Sequence, residues 1–260
     1  MRTVDLRDVN LSKEDIAARL PRISSDIEQA LVVARELIDD VMERGELALR
    51  EQTLTFDGVE GHELRVPQSE IDAAVNDLDP QLREAIVESI RRVRLASAAG
   101  IPPERVVTVA PGATVTQRWI PVERVGLYVP GGKAVYPSSV VMNTVAAQVA
   151  GVSSIAIASP PQRDRKGRVH PTILATAGLL GVTEVYAMGG AGAIGAFAHG
   201  VSTLNLDPVR VITGPGNVFV AAAKRLVRGV VGIDSEAGPT EILIIADDAA
   251  DPHLIAADLV

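Results

Sequence analysis

An α/β fold built around a parallel sheet is predicted by three features of this 260-residue sequence. From Arg124 onward, short apolar runs alternate with helical stretches. Glycine stands where those helices should stop, and glycine-rich turns follow the apolar runs. Such alternation favours parallel strands joined by right-handed crossovers, with helices on both faces in a doubly wound arrangement.

Taken in order, residues 1–123 read mainly as helix. Ser25-Asp26-Ile27-Glu28 has capping-box spacing ahead of an amphipathic run through Arg44, and Gly45 breaks that run before a second helical stretch. Val66-Pro67-Gln68 leads into another helix with Ser69 as its cap. Pro80 separates this from a helix over 82–98, where Arg91, Arg92 and Arg94 form a solvated face. Residues 106–109 and 114–120 read as strands. The block that follows predicts strands at 124–129, 154–158, 183–188, 209–213, 230–234 and 241–246, with helices over 139–150, 171–180, 192–199 and 217–228. Gly151, Gly181, Gly200 and Gly229 occupy C-terminal cap positions. A last helix starts with Asp251 as cap and Pro252 at its first position; the sequence stops inside it without a stop signal, which reads as truncation.

Composition narrows the function. Hydrophobic residues at 47% support a real core, and aromatic residues at 3% make that core aliphatic. A net charge of −8 with no dense Lys/Arg run, and few aromatic platforms, argues against nucleic acid as a partner. With no cysteine, disulfides, thiol nucleophiles and cysteine–zinc sites are excluded. The charged start MRTVDLRDVN does not read as a signal peptide, and the apolar region 138–158 is broken by Asn143, Gln148 and Gly151, so no membrane span is expected and a cytoplasmic protein is the default.

Four turns carry the functional signal: Pro130-Gly131-Gly132, Gly189-Gly190-Ala191-Gly192, Gly214-Pro215-Gly216 and Ala237-Gly238-Pro239. Ligands of open α/β sheets bind outside the carboxyl ends of the strands, so these turns predict a site for an extended, phosphate-bearing ligand. Gly190 to Gly195 satisfies GxGxxG, but the acidic residue that completes a dinucleotide fingerprint is missing: Asp207 is followed by Pro208, before the next strand. A plain tight turn is the competing reading. Gly214-Pro215-Gly216-Asn217 opens directly into a helix whose N-terminus favours anions, and Asn217 either caps that helix or reaches a ligand. Tyr128 at a strand end either stacks on a nicotinamide or adenine ring or packs with its hydroxyl satisfied. The segment 234–241 concentrates carboxylates and hydroxyls suited to substrate or merely to solvent. His62, His170, His199 and His253 are scattered, with no metal-ligand spacing.

The stretch Arg124-Val-Gly-Leu-Tyr-Val-Pro-Gly-Gly-Lys-Ala-Val-Tyr-Pro-Ser-Ser-Val-Val-Met-Asn143 resembles histidinol dehydrogenase, as do Gly189-Gly190-Ala191, Gly214-Pro215-Gly216-Asn217-Val-Phe-Val-Ala-Ala-Ala-Lys-Arg225 and Glu236-Ala-Gly-Pro-Thr-Glu241. The resemblance implies a zinc-assisted, NAD-dependent homodimer that oxidises L-histidinol to L-histidine through the aldehyde. It also implies two intertwined, incomplete Rossmann-like domains similar to those of aldehyde dehydrogenases. On that template residues 1–25 are an extension, 26–123 the mainly helical first half of a split domain, 124–236 the cofactor-side domain and 237–260 a return into the split domain. Tyr128 and Asn217 match NAD contacts and Thr240 matches a substrate contact.

Two departures are notable. The family usually has Gln, an NAD contact, where this sequence has Gly192, and 95–103 differs in wording. The family's zinc ligands and its proton-transfer Glu-His pair match no position up to Val260, so no catalytic or metal residue is assigned and the 260 residues alone are expected to be inactive. A different alcohol substrate, or a non-catalytic nucleotide-binding remnant, stays open as an alternative.

Overall fold

The computed structural model describes residues 12–19, 27–131, 134–236 and 242–259. Five helices come first: α1 (Lys13–Arg19), α2 (Ile27–Arg44), α3 (Glu46–Asp57), α4 (Gln68–Asn76) and α5 (Pro80–Ala99). A hairpin of β1 (Arg105–Ala110) and β2 (Ala113–Gln117) follows. The alternating block then runs β3 (Arg124–Tyr128), α6 (Pro137–Val149), β4 (Ser154–Ser159), α7 (Pro171–Leu179), β5 (Val185–Ala187), α8 (Gly190–His199), β6 (Val211–Thr213), α9 (Val218–Val227) and β7 (Gly232–Ile233), and α10 (Pro252–Leu259) closes the described chain.

Local chemistry sets these boundaries. Asp79 Oδ1 accepts from the Leu82 N–H at 2.9 Å, with Pro80 in the first helical position, so α5 starts where its orphan donors are satisfied. Gly45, at φ 57°, separates α2 from α3. Gly151, Gly181, Gly200 and Gly229 all have positive φ, as their cap positions require. Asp251 caps α10 through the His253 N–H at 2.8 Å. The capping-box residues Ser25 and Asp26 lie outside the described residues.

All five strands of the main sheet are parallel, in the order β5-β4-β3-β6-β7. The chain works outward from β3 to β5, then crosses back to place β6 on the other side of β3. That reversal leaves a crevice between the carboxyl ends of β3 and β6.

Side chains alternate across the sheet. Val125, Leu127 and Val129 face a core shared with α4 to α7, whereas Tyr128, Ala156, Ala158 and Tyr186 face a core shared with α2, α3, α8 and α9. On the second face Gly126 is without a side chain where α8 lies close. A Cβ on Gly126 would sit 2.7 Å from the Phe197 ring, and one on Gly195 would sit 3.3 Å from the Ile38 Cα. The helices before Arg124 thus share both cores with the sheet. No helix among the described residues is long and apolar enough to cross a membrane.

A buried ion pair fixes the far wall of the crevice. Lys224, only 1% exposed, donates to the Gly214 carbonyl at 3.0 Å and to Asp234 Oδ1. Asp234 Oδ2 in turn accepts the Gly214 N–H at 2.9 Å. Gly214, at φ 119°, lies so close to the Tyr128 carbonyl that any side chain would collide with it. The turn after β6 is therefore pinned from below by α9 and pressed against the end of β3.

Some expectations need correction. Ser69 lies inside α4; the cap position belongs to Pro67, which makes no side-chain cap bond. The strand expected at 230–234 contracts to β7, because Arg228 to Val231 form a tight turn with bonds from the Val230 and Val231 N–H groups to the Val227 carbonyl. Residues 242–246 are irregular: Ile242, Leu243 and Ile245 are exposed, and no neighbouring strand among the described residues supplies the ladder that a strand requires.

Two outcomes test this packing by urea denaturation. Gly126→Ala should cost about 2–3 kcal/mol by overpacking, with part recovered when Phe197→Leu is added. Asp234→Asn should cost more than Lys224→Met, because it strands a buried ammonium whereas Asp234, 35% exposed, can rehydrate; equal losses would contradict the clamp.

Candidate functional site

Two adjoining cavities open at the crevice. One, of about 330 Å³, lies between the sheet edge and the helices α2 and α3. The other, of about 420 Å³, lies over the turns after β3 and β6, lined by Pro130, Tyr136, Ser139, Pro215 and Gly216. Tyr128, Gly131 and Asn217 line both. The structure thus brings together two of the three residues singled out from sequence. Thr240 lies outside the described residues, as do Gly132 and the turn 237–239.

Tyr128 and Asn217 each serve a helix N-terminus. The Tyr128 hydroxyl oxygen accepts the Gly190 N–H at 3.2 Å, at the start of α8. Asn217 Oδ1 accepts from the Phe219 and Val220 N–H groups at 3.0 and 3.1 Å, capping α9. These bonds use acceptors, and what each residue has left is a donor: the phenolic O–H and the Nδ2 amide hydrogens. Burial pushes the Tyr128 hydroxyl up to about 12, so it keeps its proton at neutral pH. The tyrosine is 4% exposed, so of the two readings of Tyr128 the packed one, with its hydroxyl satisfied, is the one that the structure meets. Of the two readings of Asn217, the structure meets the cap, which holds two of the N–H groups at the α9 terminus.

The opposite wall comes from α3, which sequence reasoning did not single out. Leu49, Gln52, Thr53, Phe56 and Asp57 recur at spacings of three and four and all line the first cavity. Gln52 Nε2 donates to the Leu37 carbonyl at 3.0 Å, leaving Oε1 as an acceptor. That oxygen occupies the space that a side chain on Gly192 would need. Asp57 has no hydrogen bond or ion pair among the described residues, and its burial pushes it up to about 6. The polar members inside an otherwise apolar helical face were the available signal, and only the fold places that face against Tyr128.

The other candidates go elsewhere. The glycines of the apparent GxGxxG serve helix packing: Gly192 admits Gln52, and Gly195 admits Ile38. Asp207 is exposed and its carbonyl accepts from Arg124, outside the cavities. Asp234 holds Lys224 and Gly214, which braces the scaffold, and Glu236 lies on the surface near Arg225 and Arg228. His170 caps α7 through Nδ1, and His62 Nε2 meets the Ala187 carbonyl at 3.1 Å. Among the described residues no three His, Cys, Asp or Glu side chains gather as a metal site, so the residues present do not fit zinc.

Comparison with known proteins concerns the chain as a whole. The family model described as histidinol dehydrogenase matches residues 20–260. Histidinol dehydrogenase of Leifsonia xyli subsp. xyli is 63% identical over all of this chain, which covers 60% of that protein. Those of Corynebacterium efficiens and Mycobacterium bovis are 54% and 52% identical, with 58% and 59% of their lengths covered. The crystal structure of histidinol dehydrogenase from Elizabethkingia anophelis superposes with a TM-score of 0.82 at 33% identity, over 92% of this chain and 54% of that one. The chain therefore spans about 60% of the length of the curated relatives it matches. A family match over nearly the whole sequence, on a fold shared with a solved member, means that the chain belongs to the histidinol dehydrogenase family.

Proposed function

We propose that this chain forms the cofactor side of an NAD-dependent enzyme that oxidises histidinol to histidine. The observation that carries the reading is the donor pair Tyr128 and Asn217, held by two helix caps on either side of the crevice between β3 and β6. When bound, NAD supplies the hydride acceptor. Within this chain Tyr128 Oη and Asn217 Nδ2 donate to acceptor atoms of the dinucleotide, and the apolar residues Pro160, Met188 and Phe219 exclude water beside it. Under this reading the 124–236 segment is the incomplete Rossmann-like unit, 26–123 and 237–260 belong to a split partner domain behind the extension 1–25, and Thr240 contacts substrate. The family's homodimer and zinc belong to the same proposal, although the described residues do not fit zinc.

Asp57 supports a ligand-directed reason for this cavity. A carboxylate half-buried without a partner works against folding, and is retained most simply where a ligand meets it.

Calorimetry should detect NAD binding to the chain, with Tyr128→Phe weakening it about 5–10-fold, the loss of one hydrogen bond. The same preparation mixed with NAD and histidinol should produce no NADH; turnover would contradict the assignment of zinc and proton-transfer groups elsewhere. The second outcome concerns pH. The folded protein holds the Asp57 proton more tightly than the unfolded chain, about 6 against 3.8, so this group's contribution to stability declines as pH rises from about 4 to about 6. Discounted for partial exposure, Asp57→Asn should raise stability by about 1–2 kcal/mol at pH 7.5 and by nothing near pH 4. Denaturation at both pH values checks this, and a gain independent of pH would contradict it.

A further inference from the structure

The first cavity has a sorted polarity. On the sheet edge, Tyr128 and Asn217 have only donors to spare, because their oxygens cap α8 and α9. On α3, Asp57 has its carboxylate to spare, beside the Thr53 hydroxyl, while Gln52 turns its oxygen to Gly192. The Gln52 nitrogen is committed to the Leu37 carbonyl and also lies near enough to Asp40 to lower that carboxyl. Asp57 is committed to no partner among the described residues. A ligand that spans the cavity must therefore carry acceptors on one side and hydroxyl or amine donors on the other. A nucleotide does so, with phosphate oxygens and ring nitrogens as acceptors and ribose hydroxyls as donors.

Two local features place the carboxylate. Asp57 is the last residue of α3, one position before Gly58, whose φ of 64° ends the helix in a left-handed cap. This puts Asp57 at the rim, eight residues and just over two turns from Leu49, on the same face as Thr53. Arg163 places its guanidinium against Gly58 yet forms no ion pair with Asp57, so the ionised carboxylate keeps its full negative charge toward the cavity.

We propose that Asp57 determines dinucleotide specificity: its carboxylate accepts the hydroxyls of the adenosine ribose and turns away a 2′-phosphate. A carboxylate can take both hydroxyls of a cis-diol, as an acidic residue at a strand end does in dinucleotide folds. Here that role passes to a helix, which accounts for the absence of a suitable acid after the strand that follows Gly190. The inference rests on the NAD reading above.

The experiment titrates the 260-residue chain and Asp57→Asn with NAD, NADP and NAD lacking the adenosine 2′-hydroxyl, with far-UV spectra to verify folding. The parent chain should prefer NAD over NADP, and NAD over the deoxy analogue, by about 10-fold or more, the scale of a hydrogen bond to a charged group. In Asp57→Asn both ratios should fall to about 3-fold or less, with NADP binding gained and not merely NAD binding lost. Unchanged ratios in the variant would overturn the role of Asp57 while leaving NAD binding intact. Should Asp57→Asn fail to fold, the deoxy analogue on the parent chain still decides, because equal binding of NAD and the analogue sinks the proposal. Failure of the parent chain to bind NAD at all would remove the cofactor reading itself.

Discussion

Lys224 is, among the described residues, the fully buried cation, and the shape of the site depends on it. An ammonium cannot be left unpaired in an aliphatic core, so the chain must bring acceptors to it. Those acceptors are the Gly214 carbonyl and Asp234, which come from the ends of β6 and β7. Asp234 then holds the Gly214 N–H, so both faces of one peptide turn are gripped by a single pair of side chains. The desolvation cost of the pair argues against reading it as a simple gain in stability. What it supplies is geometry: the turn after β6 has one position, and that position lies against the Tyr128 carbonyl.

Close packing also shapes the sheet itself. On the face of the sheet toward α8, the strands offer Gly126, Ala156 and Ala158, and the helix approaches near enough for Phe197 to fill the space over Gly126. The glycines of α8 continue this economy of volume, admitting Ile38 from α2 at Gly195 and Gln52 from α3 at Gly192. A sequence that satisfies a phosphate-binding pattern here does so because helices must pass one another closely. The pattern and the packing requirement are written in the same residue, and only the partner helix tells them apart.

That distinction marks the limit of what the sequence could reveal. Alternating strands and helices, their order, and the glycine stops were legible because each depends on residues within a few positions: the positive φ at Gly151 or Gly200 is a local demand. The two residues at the crevice, Tyr128 and Asn217, were legible because strand ends and helix starts lie beside glycine turns. Asp57 and Gln52 were not. They reach the site only because α3 folds back over the sheet edge, a contact between elements more than sixty residues apart in the chain. The run 242–246 shows the converse: its apolar, β-branched composition is strand-like, but a strand is defined by its neighbour, and composition cannot supply one.

Helix capping is what gives the crevice its chemical sense. A tyrosine or an asparagine in a cavity can donate or accept, so neither specifies a ligand by its identity alone. Here α8 and α9 each present unsatisfied N–H groups at the mouth of the site, and the nearest side-chain oxygens must answer them. Once they do, the sheet edge is left with donors only. The helix opposite has answered other demands, with the Gln52 nitrogen turned to the Leu37 carbonyl, and it offers the Asp57 carboxylate as an acceptor beside the Thr53 hydroxyl. The donor side of the site thus acquires its polarity from backbone groups that never touch the ligand. The same backbone requirements that terminate helices in this fold thereby decide which atoms a bound molecule must present, and on which side.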